Sequence, residues 1–178
     1  RAAGLPLEAI ARGLATAPAP PGRMEVTATH PVPVILDYAH TPDALARALE
    51  TLAPLYPGRV IVVFGAGGDR DRTKRPEMGR IAATLGGWAI ATSDNPRTED
   101  PERILDDVVA GMPPGGKWER ITDRRAAIGH ALAMARPGDA VLLAGKGHES
   151  YQVVGTRVLP FDERKIVREF LAGGEARP

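Results

Sequence analysis

The chain has 178 residues, of which 43% are hydrophobic and 25% charged, and this composition is typical of a globular domain with its own core. A net charge of +1 and an aromatic content of 4% argue against nucleic acid or a membrane surface as a bulk electrostatic partner. The chain has no cysteine, which excludes disulfides and thiolate metal sites and suits a reducing cytoplasm, and no apolar run is long enough to span a bilayer.

The first 22 residues differ in pattern from the rest. Residues 5–14 predict a short amphipathic helix with Pro6 in its first turn, and residues 17–22 form a proline-rich connector that is typical of a semi-rigid spacer. Because Arg1 is not a start methionine, we expect residues 1–22 to be the end of a preceding domain and its linker. The complete domain is then expected over 23–178.

From residue 24 onward, short apolar segments alternate with amphipathic ones. The predicted strands are 24–29, 32–37, 59–64, 88–92, 118–121 and 140–144, followed by a hairpin over 152–159 that turns at 155–156. The predicted helices are 41–52, a helix from 74 or 76 to 85, 101–112, 123–135 and 162–171, after which the end frays. This alternation predicts an α/β fold: a three-layer Rossmann-like domain with a mainly parallel sheet and helices on both faces.

Polar clusters follow four of the predicted strands, at 37–40, 65–75, 94–97 and 145–149. The carboxyl ends of parallel strands lie at one edge of a sheet, and ligands of open α/β sheets bind there. We therefore expect these clusters to converge on one crevice.

The cluster Asp94-Asn95-Pro96-Arg97 offers a carboxylate, an amide, a rigid turn and a guanidinium. Arg97 suits a carboxylate, while Asp94 and Asn95 suit an ammonium group, so the tetrad favours a ligand that carries both. The alternative is an Asx-type turn that caps the helix beginning near Pro101.

The cluster at 65–75 begins with glycines but lacks the dinucleotide-binding pattern, because Arg70 stands where the third glycine belongs. Its cations have two possible roles. They can form a binding site for an anion, or they can be neutralised within the loop by the acidic residues among them. The cations are Arg70, Arg72, Lys74 and Arg75, and the acidic residues are Asp69 and Asp71.

The segment Gly145-Lys146-Gly147 is not a phosphate-binding P-loop, since no Ser or Thr follows the lysine, and an ordinary strand-to-loop turn is the alternative for Lys146 and His148. The histidines at 30, 40, 130 and 148 show no metal-ligand spacing. We predict no catalytic residue and no metal site in this chain, and we expect its features to serve substrate recognition and orientation.

Taken together, the segments 37–43, 67–71 with 74–76, 94–97 and 145–149 resemble the Mur ligase family, in the family's order and over nearly the whole chain. The resemblance implies the C-terminal domain of a three-domain enzyme, in which a central P-loop domain holds ATP and Mg²⁺ and an N-terminal domain binds a UDP-sugar substrate. It implies an ATP-dependent amide ligase of peptidoglycan synthesis that acts through an acyl phosphate. This chain alone is expected to be inactive.

In that family the Asp-Asn-Pro-Arg tetrad marks the members that add meso-diaminopimelate to UDP-N-acetylmuramoyl-L-alanyl-D-glutamate. The resemblance implies that Arg70 and Arg97 take carboxylates and that Glu149, with Asp94, takes the distal ammonium. The full set of implied diaminopimelate residues is Arg70, Asp94, Asn95, Arg97, Gly145 and Glu149. Arg23, Asp37 and His40 match positions near the nucleotide.

Two alternatives remain from the sequence. One is a lysine-adding or folylpolyglutamate-type relative, against which Arg97 and the complete 145–149 run argue. The other is a non-catalytic α/β ligand-binding module, since a fold alone does not fix function.

Overall fold

A computed structural model describes residues 4–17 and 19–174 of the chain. Pro18 of the predicted connector and the predicted frayed end at 175–178 lie outside the described residues. None of the helices in the described part is long and apolar enough to cross a membrane.

Within residues 4–17 and 19–174, eight strands form two sheets. The strands are β1 (Glu25–Ala28), β2 (Val34–Asp37), β3 (Val60–Phe64), β4 (Trp88–Ala91), β5 (Trp118–Arg120), β6 (Ala140–Ala144), β7 (Tyr151–Val154) and β8 (Arg157–Pro160). The main sheet has six strands in the order β1-β2-β6-β3-β4-β5, and β7 and β8 pair as a separate hairpin. In the main sheet β1 runs antiparallel to β2 and the other neighbours are parallel.

Six α-helices accompany the strands in the described part of the chain. They are α1 (Leu7–Thr16), α2 (Pro42–Leu52), α3 (Lys74–Leu85), α4 (Pro101–Val109), α5 (Arg124–Met134) and α6 (Glu163–Gly174). Their beginnings follow the sequence closely, because side chains accept hydrogen bonds from the first turns: Thr41 for α2, Asp100 for α4 and Asp123 for α5.

Helices cover both faces of the main sheet, which confirms the predicted fold class. The central strands β3 and β6 are buried at every residue, as expected for parallel strands covered on both sides. One core contains apolar residues of α2, α3 and α4, for example Leu49, Met78 and Leu105. The other core contains residues of α5 and α6, for example Ile128 and Val167.

The predicted end of α4 is wrong by three residues, since the helix ends at Val109 and not at Met112. Residues 110–112 form a turn instead, in which the N–H of Gly111 donates to the carbonyl of Val108. A Cβ atom on Gly111 would lie 1.8 Å from the carbonyl oxygen of Pro76, so this turn packs directly on the first turn of α3.

At the edge opposite the strand carboxyl ends, Asp139 joins the beginnings of β3 and β6 through hydrogen bonds. Its carboxylate accepts the backbone N–H of Arg59 at 2.8 Å and of Arg136 at 3.0 Å, and it pairs with the Arg59 guanidinium at 2.7 Å. Burial raises the pKa of Asp139 and is the largest influence, but the hydrogen bonds from Arg59 and Arg136 outweigh it, so the net pKa is lowered. This carboxylate therefore stabilises the fold away from the strand tips.

We expect Asp139→Ala to lower the free energy of unfolding by about 2–4 kcal/mol, because two backbone N–H groups and a partly buried guanidinium lose their acceptor. Urea denaturation at neutral pH measures the change. Asp106→Ala is the matched control: its pair with Arg120 is exposed on the Asp106 side, and the expected cost is below about 1 kcal/mol. Equal costs for the two variants would contradict the assigned role.

Candidate amino-acid-binding site

A cavity of about 240 Å³ lies at the carboxyl edge of the parallel strands. Its lining contains the six residues predicted to contact the amino acid and, in addition, Tyr38, His40, Gly67 and Lys74. The strand order explains this convergence, because β2, β6, β3 and β4 are adjacent and parallel and each ends at this edge. The roles of these residues as ligand contacts stay predictions.

Lys146 is a component of the site that the sequence did not identify as one. It lies fully buried directly after β6, where its Nζ is 3.2 Å from Asp94 Oδ1 and 3.8 Å from Glu149 Oε2. The same Nζ donates to Asn95 Oδ1 at 3.1 Å and to the carbonyl of Tyr151 at 2.8 Å. Burial lowers the pKa of Lys146, and the Asp94 and Glu149 carboxylates oppose that shift.

A local pattern could have pointed to Lys146. A lysine that follows five buried apolar residues and stands between two glycines has little chance of reaching solvent. Such a cation requires anionic partners in the interior. The ordinary turn proposed as the alternative for Lys146 does not account for these contacts.

The side chain of Asn95 forms hydrogen bonds to other residues of the protein. Its Oδ1 accepts from Lys146 Nζ and from the N–H of Val153 at 2.9 Å, while its Nδ2 donates to Glu149 Oε2 at 3.0 Å. The side chain therefore orients Glu149 and joins the β7–β8 hairpin to the end of β4. The helix α4 is capped by Asp100, so capping does not explain the 94–97 tetrad.

Arg97 is half-buried and held on both sides. Its backbone has φ of 53° and forms two hydrogen bonds with the β7–β8 hairpin. The N–H of Arg97 donates to the Val153 carbonyl at 3.0 Å, and the Arg97 carbonyl accepts from the N–H of Gly155 at 2.6 Å. Its Nη1 donates to the carbonyl of Gly68 at 2.7 Å. That is the one side-chain hydrogen bond of Arg97 among residues 4–17 and 19–174, which leaves further donors of the guanidinium for a ligand carboxylate.

Two loops meet beneath Arg97, one after β3 (65–70) and one after β4 (93–99). The N–H of Gly68 donates to the carbonyl of Asn95 at 2.9 Å, and the Asp69 carboxylate accepts from Thr98 at 2.8 Å. A Cβ on Gly68 would lie 1.8 Å from the Pro96 carbonyl oxygen, so only glycine permits this approach. Arg70 lies exposed at the mouth of the cavity that the loops shape.

The sequence left two roles open for the cations of the 65–75 cluster, an anion site and neutralisation within the loop. In the structure, some of these cations are neutralised and others line the cavity. Arg75 is fully buried, paired with Glu99 at 2.7 Å and Asp107 at 2.9 Å, and it donates to the Gly67 carbonyl at 3.2 Å. Arg72 also pairs with Asp107 at 3.0 Å. These two arginines are neutralised within the protein, although by Glu99 and Asp107 rather than by the neighbouring aspartates.

Lys74, by contrast, lines the cavity together with Arg70. Its Nζ donates to the carbonyl of His40 at 2.9 Å, and burial lowers its pKa. It links the loop after β2 to the start of α3.

The residues predicted to lie near a nucleotide gather around Tyr38. The Arg23 guanidinium lies 4.4 Å from the centre of the Tyr38 ring, and the His40 ring lies 4.5 Å from it. The Asp37 carboxylate accepts the N–H of Met24 at 2.8 Å and so fixes the chain that enters β1. Of these three residues, His40 lines the cavity.

The connector reaches the same edge. Gly22 has φ of +67°, and a Cβ there would lie 2.1 Å from the backbone carbon of Gly147. Gly147 in turn has φ of +54° and leaves no room for a side chain beside the Gly22 carbonyl oxygen. The end of the connector thus packs backbone to backbone against the loop that carries Lys146 and Glu149.

Comparison with known proteins identifies the family of this chain. A family model described as Mur ligase, glutamate ligase domain, matches residues 22–147. The chain therefore belongs to the Mur ligase family, which confirms the resemblance found in the sequence.

Two similar curated proteins are named UDP-N-acetylmuramoyl-L-alanyl-D-glutamate–2,6-diaminopimelate ligase. The protein from Trichormus variabilis is 54% identical over 97% of this chain and 35% of its own length, and that from Gloeobacter violaceus is 54% identical over 99% of this chain and 36% of its own. A solved structure of a ligase with the same name superimposes with a TM-score of 0.84 at 41% identity, over 99% of this chain and 36% of that one. The chain spans about a third of the length of the relatives it matches.

The ion pair of Glu99 predicts an acid sensitivity for the loops beneath the cavity. Its hydrogen bonds with Arg75 lower the pKa of Glu99 from 4.5 to about 2. A carboxylate with a lowered pKa stabilises the fold fully above its unfolded pKa, and the contribution is lost as the pH falls from 4.5 towards 2. We expect Glu99→Gln to lower the free energy of unfolding at pH 7 by about 1–2 kcal/mol, allowing for partial exposure.

Urea denaturation of the chain and the variant across this pH range is the measurement, and the two stabilities should converge in acid. Glu50→Gln, on the exposed face of α2, is the matched control and should parallel the unmodified chain. A constant difference between Glu99→Gln and the unmodified chain at every pH would count against the ion pair as the cause.

Proposed function

We propose that this chain is the amino-acid-binding domain of a longer ATP-dependent ligase that adds meso-diaminopimelate to UDP-N-acetylmuramoyl-L-alanyl-D-glutamate in peptidoglycan synthesis. The observation that carries the proposal is the cavity at the carboxyl ends of the strands, whose lining offers the guanidinium groups of Arg70 and Arg97 together with the carboxylates of Asp94 and Glu149. The names of the two similar curated relatives support the same substrate.

The charges of the lining complement those of the amino acid. Meso-diaminopimelate carries a carboxylate and an ammonium group at each end, whereas lysine has no carboxylate at its far end. Arg97 is held by Gly68 and by the hairpin, so its guanidinium is prepared to pair with that carboxylate. With lysine bound, the half-buried charge of Arg97 would lack its partner, which is a strong basis for rejection.

The chemistry assigned to this chain is positioning. In the proposed reaction ATP supplies the phosphoryl group that activates the D-glutamate carboxylate, and the amine of diaminopimelate attacks the resulting acyl phosphate. Asp94 and Glu149 would hold the distal ammonium, while Arg70 and Arg97 would fix the carboxylates, so that the reacting amine is oriented towards the acyl phosphate. ATP and Mg²⁺ are assigned mainly to a central domain, and Arg23, Asp37 and His40 would meet the nucleotide at the Tyr38 edge.

The proposed division of the chain follows from the same assignment. Residues 1–22 would be the end of the central ATPase domain and its linker, and 23–178 the amino-acid-binding domain. Leu7 and Leu14 on α1 are 62% and 73% exposed, which suits a helix that packs against another domain. The other proposed partners are the N-terminal and central domains, and the enzyme is assigned to the cytoplasm, where ATP is available.

The first test is a titration of the chain with meso-diaminopimelate and, separately, with L-lysine, followed by amide chemical shifts. We expect selective shifts at Arg70, Asn95, Arg97 and Glu149 with diaminopimelate. Equal responses to the two amino acids would favour a lysine-adding relative. Silence with both, in the chain and in the full-length ligase with its other substrates present, would contradict the proposal.

The second test concerns Arg97 in the full-length ligase. Arg97→Met should weaken binding of diaminopimelate by about 10- to 100-fold, because one charge-assisted bidentate pair is lost, and should leave binding of ATP unchanged. Arg157→Met, which removes an exposed guanidinium from β8, is the matched control. The assigned role is wrong if the Arg97 variant loses affinity for ATP and diaminopimelate equally.

A further inference from the structure

A buried cation lies beneath the residues that are proposed to receive an ammonium group. Lys146 is fully buried, and its Nζ contacts Asp94 at 3.2 Å and Glu149 at 3.8 Å, whereas the two carboxylate side chains are 11% and 15% exposed. The lysine thus reaches both carboxylates from within the protein, while the carboxylates also line the cavity. A ligand in the cavity would touch the carboxylates, and Lys146 would act only through them.

The net charge of Asp94, Glu149 and Lys146 affects how an ammonium group can bind. Two carboxylates close together in one site disfavour each other's ionised form, which favours protonation of one of them. One buried ammonium beside them compensates a single negative charge and leaves a net charge of −1. Asn95 completes the arrangement, because it accepts from Lys146 and donates to Glu149 at 3.0 Å.

The other charges around this group do not replace Lys146. Arg124 is fully buried nearby, but it pairs with Glu163 at 2.8 Å and donates to the Ala144 carbonyl at 2.9 Å. Lys74 also lines the cavity and interacts electrostatically with Asp94, but its Nζ donates its hydrogen bond to the His40 carbonyl and contacts neither carboxylate directly. The guanidinium of Arg97 is directed to Gly68.

We propose that Lys146 is a positioning residue that keeps Asp94 and Glu149 both ionised and correctly oriented, so that these two carboxylates together with Lys146 present one net negative charge to one ammonium group of the incoming amino acid. This inference rests on the proposed function. It explains why a cation lies buried in a site that receives a cation. Lys146 allows the ligand's ammonium to enter without first displacing a proton.

The test is Lys146→Met in the full-length ligase, which removes the charge and keeps the length of the side chain. Binding of meso-diaminopimelate is measured by calorimetry between pH 6 and 8, with the UDP-dipeptide and a non-hydrolysable ATP analogue present, in buffers of different ionisation enthalpy. In the variant Asp94 and Glu149 share a proton that the ammonium must displace. We expect release of up to about one proton per ligand, and an affinity that falls by up to about tenfold for each unit of decreasing pH.

The unmodified ligase should show neither effect. Arg124→Met is the matched control, because it also removes a buried cation and leaves a carboxylate without its partner, but outside the cavity. It should lower the melting temperature without changing the proton release. Adding Glu149→Gln to Lys146→Met restores a net charge of −1 and should abolish the proton release, a rescue that a merely structural role would not give.

Weaker binding by Lys146→Met with no proton release would overturn the inference while leaving the proposed function intact. Failure of the unmodified ligase to bind diaminopimelate would instead overturn the proposed function. If Lys146→Met does not fold, carboxyl ¹³C shifts of the unmodified ligase decide the matter. Titration of Asp94 or Glu149 between pH 6 and 8 contradicts the inference, and constant shifts support it.

Discussion

The burial of cations at the carboxyl edge of the sheet is the constraint on which the site depends. Arg75 and Lys146 are fully buried there, and an unpaired buried charge is too costly to persist. Each therefore draws anionic and carbonyl groups from several segments: Arg75 joins Glu99, Asp107 and the loop after β3, and Lys146 joins the end of β4 to the loop after β6. The cavity is shaped by segments that gather around these two charges.

The selectivity proposed for Arg97 would depend on the small hairpin, which fixes the position of this residue. Its backbone is bonded to β7 and to Gly155, and its guanidinium is bonded to the loop after β3. The positive φ of 53° is uncommon for an arginine and is maintained by these contacts. A residue that discriminates a carboxylate from its absence needs such a fixed position, because a mobile guanidinium would simply turn towards solvent.

The fold could be predicted well from the sequence because the signals for strands and for helix starts lie in short, continuous segments. Buried parallel strands appear as continuous apolar runs, and Thr41 and Asp123 mark the starts of their helices. The predicted cavity residues also came together, since parallel strands necessarily end at one edge. The end of α4 was missed because it depends on contact of Gly111 with Pro76, which lies far away in sequence.

The internal contacts of the site were harder to predict for the same reason. Nothing local distinguishes Arg75, which is neutralised by residues 24 and 32 positions further on, from Arg70, which lines the cavity. Likewise nothing local showed that Asn95, predicted as a ligand contact, also hydrogen-bonds Lys146, Val153 and Glu149 within the protein. Composition and spacing identify which residues reach the edge of the sheet, but only tertiary contacts decide which of them stay available.

The contact between Gly22 and Gly147 joins the connector to the loop that supplies Gly145 and Glu149 to the cavity lining. Both residues are buried, and each occupies the space that a side chain on the other would need. A rotation of the chain ahead of Gly22 must therefore either carry the 145–149 loop with it or break this contact. If a ligand fixed the loop, it would therefore also restrict the angles at which the preceding chain enters, and the orientation of that chain would affect ligand binding to the same energetic extent.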